Sequence, residues 1–179
     1  SKWTKLNQKE KITTRTSIKK AKELASDCNQ CGRCCTFGSA ALVEQDIKKI
    51  SDLLKISEDK LKKKYLEETE RFNTKLFRPK IVKKKGMPYG PCIFLKNGKC
   101  IIHDAKPLGC LTGNPCVPEG EDLNIWFGVK YFLNLADPQS IRDYSEYLKL
   151  GGKIIEGGSL KELIPDDEKR KKILNYKIL

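Results

Sequence analysis

Between residues 45 and 54 the apolar positions Ile47, Ile50, Leu53 and Leu54 recur at the steps of one helical face, and the spacing predicts a helix there. Ser57 has the chemistry of an N-cap, a short side chain whose hydroxyl takes a free amide of the first turn. It predicts a second helix over EDKLKKKYLEET, with a narrower apolar stripe of Leu61, Tyr65 and Leu66. A helix is also expected over 17–25, a short strand over 41–43, and strand structure over 72–82. In CIFLKNGKCIIH two short apolar runs flank Asn97-Gly98, the dipeptide that best tolerates the positive φ angles of a type I′ turn. A β-hairpin is predicted, and a tight hairpin brings Cys92 and Cys100 together at its outer ends.

Further on, 125–135 (IWFGVKYFLNL) is the most apolar stretch; it is too short to span a bilayer, contains Lys130, and reads as core. Asp137-Pro138 supplies an N-cap and a first helical residue for a helix to Leu150, closed by Gly151-Gly152. Ser159 and Glu162 fit a capping box ahead of another short helix. The terminal run DDEKRKKILNYKIL puts acids early and bases late, as the helix dipole favours. The expected fold is small α+β: a loop-rich cysteine-cluster metal-binding core with short helices and a β-hairpin, plus helical extensions. Three parts are expected: a basic N-terminal extension (1–27), the cysteine-cluster domain (28–116), and a mainly helical C-terminal region packed on it (117–179).

Composition narrows the class. With 39% hydrophobic and 33% charged residues in 179, the chain can bury a core and is not globally disordered. No stretch reaches the ~20 apolar residues of a membrane span. The basic amino terminus is not followed by an apolar signal core, so a cytoplasmic location is expected. The net charge of +13 comes from 36 bases of which only six are arginine. Lysine suits a soluble, self-repelling surface as well as it suits phosphate contacts. Lysine-rich segments at 2–22, 60–64 and 83–85 keep a nucleic-acid partner open beside an unknown protein partner. The sparse aromatics count against single-strand stacking.

In a reducing cytosol, eight cysteines point to metal or redox chemistry rather than to a disulfide framework. The first group is Cys28-Asn-Gln-Cys31-Gly-Arg-Cys34-Cys35. Each C-x-x-C turn can set two sulfurs on one metal, and Gly32 lets the backbone fold back sharply. Three thiolates stepped in this way from one loop are the ferredoxin pattern, whereas structural zinc sites usually pair two separate knuckles. Cys35, adjacent to Cys34, is not expected to reach the same metal easily; it suggests a second metal, a bridging thiolate or a buried thiol. The second group, Cys92, Cys100, Cys110 and Cys116, would be delivered by the hairpin and the loop after it, with Gly109 and Gly113 giving that loop room. Eight thiols are twice what one zinc ion or one [4Fe–4S] cluster needs, so two sites or one multinuclear site fit better. Unrelated buried thiols and disulfides are the plainer readings; the clustering argues against the first and the compartment against the second. His103 reads either as a nitrogen ligand or as an ordinary hydrogen-bonded histidine.

CNQCGRCC followed by GPCIFLKNGKCIIHDAKPLGC resembles the C-x-x-C-x-x-CC cysteine-cluster family, whose YkgJ-like members are described as zinc- or iron-chelating domains. The resemblance covers about residues 28–116 and implies Cys28, Cys31, Cys34, Cys35, Cys92, Cys100 and Cys110 as ligands. Cys116 lies beyond the matched part and remains a candidate from spacing. This chain has His103 where family members often have Tyr, and Lys106-Pro107 where they have Arg-Pro. The resemblance supplies ligands but no reaction. Some relatives are linked to protein lysine methylation, and nothing in this chain resembles a methyl-donor site. There is no P-loop, G-x-G-x-x-G, H-E-x-x-H or G-x-S-x-G either.

The expected function is chelation of one or two iron–sulfur clusters, or zinc ions, by cysteine thiolates, in redox chemistry or macromolecule modification. The alternative is a non-catalytic zinc module that binds nucleic acid or a partner protein. Whether the chain is an enzyme is left open: besides His103, only Asp104 and Glu44 lie near the cysteines in sequence as acid–base candidates.

Overall fold

The computed structural model describes residues 9–26 and 28–175. Residues 1–8 of the basic extension, Asp27, and residues 176–179 of the terminal run lie outside the described residues. Within them the protein is a small α+β fold of short helices and two separate antiparallel hairpins. No helix among the described residues is long and apolar enough to cross a membrane.

Helix α1 (Ile18–Leu24) starts where Ser17 accepts the Lys20 amide, and α2 (Arg33–Phe37) carries the end of the first cysteine group. The strand expected over 41–43 is not formed. That segment is extended, but its only strand-like bond is the Leu42 amide donating to Phe77 O at 2.8 Å, which is too little for a ladder. Helix α3 (Glu44–Leu54) buries Ile47 and Ile50 as its spacing predicts, while Leu53 stays 39% exposed. Asp46 and Ser51 are buried on this helix instead.

Helix α4 (Glu58–Tyr65) is capped by Ser57 but stops four residues before the predicted end. The residues LEETER form β1 (Leu66–Arg71), paired with β2 (Thr74–Pro79) from Leu66–Pro79 to Arg71–Thr74. Local preference favours a helix over this acidic run; long-range pairing overrides it. Glu67 meets Arg78 across the ladder at 3.0 Å, and the Lys80 ammonium donates to the carbonyls of Lys63 and Lys64, covering the free end of α4. Phe72 and Asn73 turn this hairpin at φ 48° and 53°. A bulky residue accepts that backbone because Phe72 is buried edge-on against Tyr144, their ring centroids 5.1 Å apart.

The second hairpin forms where it is expected, β3 (Leu95–Lys96) pairing with β4 (Lys99–Cys100) around Asn97 at φ 49° and Gly98 at φ 75°. A single 3-10 turn over His103–Ala105 leads into α5 (Leu108–Thr112). The remainder is helical: α6 (Gly120–Tyr131), α7 (Pro138–Lys149), α8 (Leu160–Leu163) and α9 (Asp167–Leu174). Asp137 caps α7, with Pro138 just inside, and the Ser159–Glu162 capping box forms.

Two apolar clusters hold the elements. One, around Ile47, Ile50, Leu61, Phe94 and Ile102, packs α3 and α4 on the cysteine hairpin. The other, around Leu123, Trp126, Phe127 and Tyr144, also takes Ile12, Ala21 and Ala25 from the N-terminal segment. Two side-chain bonds fasten its distant parts: Trp126 Nε1 donates to Thr16 O at 2.9 Å, and Tyr144 Oη donates to Gly158 O at 2.7 Å.

Candidate metal centre

The eight cysteines, separated in sequence by as much as 57 residues between Cys35 and Cys92, all line one cleft of about 440 Å³. Local chemistry gathers them. In the Cys28–Cys31 loop, Gln30 and Gly32 both take left-handed backbone angles, φ 55° and 72°. A Cβ on Gly32 would sit 2.6 Å from the Gly98 carbonyl oxygen, so only glycine lets this loop lie on the turn of the second hairpin. The Cys92 amide donates to Cys35 O at 2.8 Å, tying the two cysteine groups backbone to backbone. Cys92 itself is buried, while Cys31, Cys34 and Cys116 are exposed.

Cys110 arrives on α5, which is fixed through a buried carboxylate. Asp46 accepts amide hydrogens from Val43 at 2.9 Å and Leu108 at 3.2 Å, linking the start of α3 to the start of α5. Burial pushes the Asp46 carboxyl up, against the pull of those two bonds. Gly109 is not loop slack, as its place in the sequence suggests: it lies within a helix, and a Cβ there would meet Ala41 O at 2.3 Å. The glycine lets α5 pack directly on the 40–41 backbone.

Adjacency does not separate Cys34 from Cys35. Their sulfurs are 3.8 Å apart on α2. This matches the sulfur–sulfur edge of about 3.8 Å implied by tetrahedral Zn–S bonds of about 2.3 Å. The shared hydrogen bond divides their acidities. It holds the Cys34 thiol down to about 6, against burial and with help from the Lys106 charge. The same bond, with burial behind it, pushes Cys35 strongly up. Burial also raises Cys92 and Cys100, and takes Cys110 up to about 12. Without a bound cation the cleft therefore favours an early thiolate at Cys34 beside thiols at Cys35, Cys92, Cys100 and Cys110 that hold their protons, and ligation by these four would release those protons.

Lys106 is the counter-charge that acts on Cys34, Cys100 and Cys110. Burial works against its ammonium, but a hydrogen bond to Cys28 and the charges of Cys28, Cys110 and Cys34 more than offset this and raise its pKa. Arg71 also borders the cleft and was not legible as a site residue, because it is carried there by the strand that reads locally as helix. His103 lines the same cleft, and its Nδ1 is buried without a hydrogen-bond partner. Asp104 and Glu44 do not line it.

The donor set suits thiophilic metals, zinc or iron in clusters. Among the described residues, however, no three His, Cys, Asp or Glu side chains are grouped closely enough to hold one ion. All eight thiols are free. A family model described as "putative zinc- or iron-chelating domain" and headed by the CxxCxxCC pattern matches residues 27–126, which takes in Cys116 and the first half of α6. No curated protein and no solved structure matches the chain.

Proposed function

The chain belongs to the CxxCxxCC family of zinc- or iron-chelating domains, and from that premise we propose that its cleft holds one or two iron–sulfur clusters that carry electrons. The observation that supports this reading most is that eight cysteines share one cleft of about 440 Å³ while no three described donors converge on a single point. A lone zinc ion needs its sulfurs gathered at about 3.8 Å from one another. A cluster spreads its irons over a larger body and meets thiols that stand further apart.

The ligands would be Cys28, Cys31, Cys34 and Cys35 on one side, and Cys92, Cys100, Cys110 and Cys116 on the other. A bound four-iron cluster would supply a one-electron redox centre. The chain's own residues set its surroundings. Buried Cys92 marks the dry side of the cleft; exposed Cys31, Cys34 and Cys116 mark the side a redox partner can approach. The Lys106 ammonium, bonded to Cys28, offsets thiolate charge and so favours the reduced state. A reducing compartment such as the cytoplasm is part of this reading, since the thiols must stay free to ligate.

Zinc has one observation in its favour, the 3.8 Å Cys34–Cys35 spacing. It would make the site structural or hydrolytic and leave docking on a protein or nucleic acid as the role. Anaerobic purification of the Cys28→Ser, Cys31→Ser double variant separates real ligation from coincidence. The proposal expects the iron and the visible cluster absorbance to be lost. A fully loaded, stable double variant would contradict it.

A further inference from the structure

His103 is the only histidine in the chain and follows Cys100 by three residues. Its backbone is held firmly: His103 O accepts the Lys106 amide at 3.1 Å, and Ala105 N donates to Ile102 O at 3.0 Å. Ile102 beside it is 1% exposed and anchors the turn in the core. The residue that carries the imidazole thus sits in a hydrogen-bonded turn rather than in an open loop.

Among the described residues, Nδ1 of this ring is the one buried side-chain nitrogen or oxygen with no hydrogen-bond partner. A buried polar atom left unpaired costs free energy, and native proteins leave few of them without a function or a bound species to account for them. The side chain lines the cleft that all eight cysteines line. A neutral imidazole with its proton on Nε2 offers a lone pair at Nδ1, and that lone pair suits both iron and zinc.

We propose that His103 Nδ1 is a metal ligand, so that the centre is a mixed cysteine–histidine site. This rests on the reading of the cleft as a thiolate metal centre but not on which metal fills it. Ligation satisfies the orphaned nitrogen. It also has an electronic consequence: replacing a thiolate ligand by a neutral nitrogen removes one negative charge from the centre and raises its reduction potential.

The test is X-ray absorption at the metal edge of the full chain, purified without oxygen and without a histidine tag. The proposal expects nitrogen and outer-shell imidazole scattering in the native protein, and loss of that scattering in His103→Ala. His103→Cys should restore full metal content with sulfur-only scattering and, if the metal is iron, shift the midpoint potential downward. Sulfur-only scattering in the native protein would overturn the proposal and assign Nδ1 to an ordered water. The native spectrum decides even if a variant fails to fold. Metal identity and sulfide content are read from the same sample: zinc without sulfide would remove the cluster reading while leaving the histidine ligand intact. A cluster without imidazole scattering would do the reverse, and a metal-free native protein would overturn both.

Discussion

The aromatic cluster of α6 and α7 and the cysteine cleft beside it are built on opposite principles. Trp126 and Tyr144 are buried at 1% and 0% exposure, and each spends its one polar atom on a distant carbonyl. Around the cleft, three of the eight cysteines are exposed, backbone angles are left-handed at Gln30 and Gly32, and His103 Nδ1 lacks a partner. The first region is complete as it stands. The second gathers its eight free thiols and leaves one buried imidazole nitrogen without a partner. The apolar cluster under α3 and α4 places the cysteines; it does not finish them.

Metal removal is expected to break the comparison most severely. Stripping by a strong chelator should collapse hydrogen-exchange protection across 28–41 and 92–116 by orders of magnitude, while α6 and α7 keep theirs; apparent metal-binding energies of small structural zinc sites run to about 10–16 kcal/mol. Uniform loss over the whole chain would mean that the two regions are one cooperative unit.

Trp126→Ala attacks the other side. Removing a fully buried indole should cost about 3–5 kcal/mol, read as a lower denaturant midpoint of the metal-loaded protein. Gly32→Ala should cost less in stability, about 1–2 kcal/mol for the left-handed backbone, yet more in metal affinity. Its Cβ must push the cysteine loop off the Gly98 carbonyl, so metal titration should show weaker loading with an unchanged aromatic core.

The subtlest effect is in pH. Cys34 ionises at about 6 in the folded, metal-free chain against an ordinary value of 9.0. A depressed value contributes stability that is fully present above the unfolded pKa and is lost as pH falls through about 6. Cys35 and Cys110 are raised, so their contribution is present below the ordinary thiol value and lost as pH climbs past it. As far as these thiols decide it, the stability of the metal-free protein should therefore rise from about 6 to a maximum near the ordinary thiol value of 9.0 and fall beyond it. Thiolate absorbance should show one early titration that Cys35→Ala moves strongly upward and Lys106→Met moves slightly, following the order of the causes. A titration unmoved by Cys35→Ala would remove the shared hydrogen bond as its origin.

Features written in adjacent residues were legible. The Asn97-Gly98 hairpin, the Asp137-Pro138 start of α7 and the Ser159–Glu162 box depend on local backbone chemistry, and all three form. The acidic strand β1 was not legible, because LEETER becomes a strand only against residues 74–79 and a turn that buries Phe72. The outward Leu53 was misread for a related reason: periodicity marks a face, and tertiary packing chose Asp46 for the inward position because two amides there needed an acceptor. Cysteine spacing announced chelation, but the single shared cleft depends on Gly32 meeting Gly98, Asp46 pinning α5, and Cys92 bonding Cys35. None of these contacts has a signature in sequence.

Iron and acid-labile sulfide, measured per chain on protein purified without oxygen, test the central claim most directly. The account predicts iron and sulfide in equal amounts, four of each per cluster, with little zinc. Zinc without sulfide would contradict it and turn the cleft into a structural or hydrolytic thiolate site.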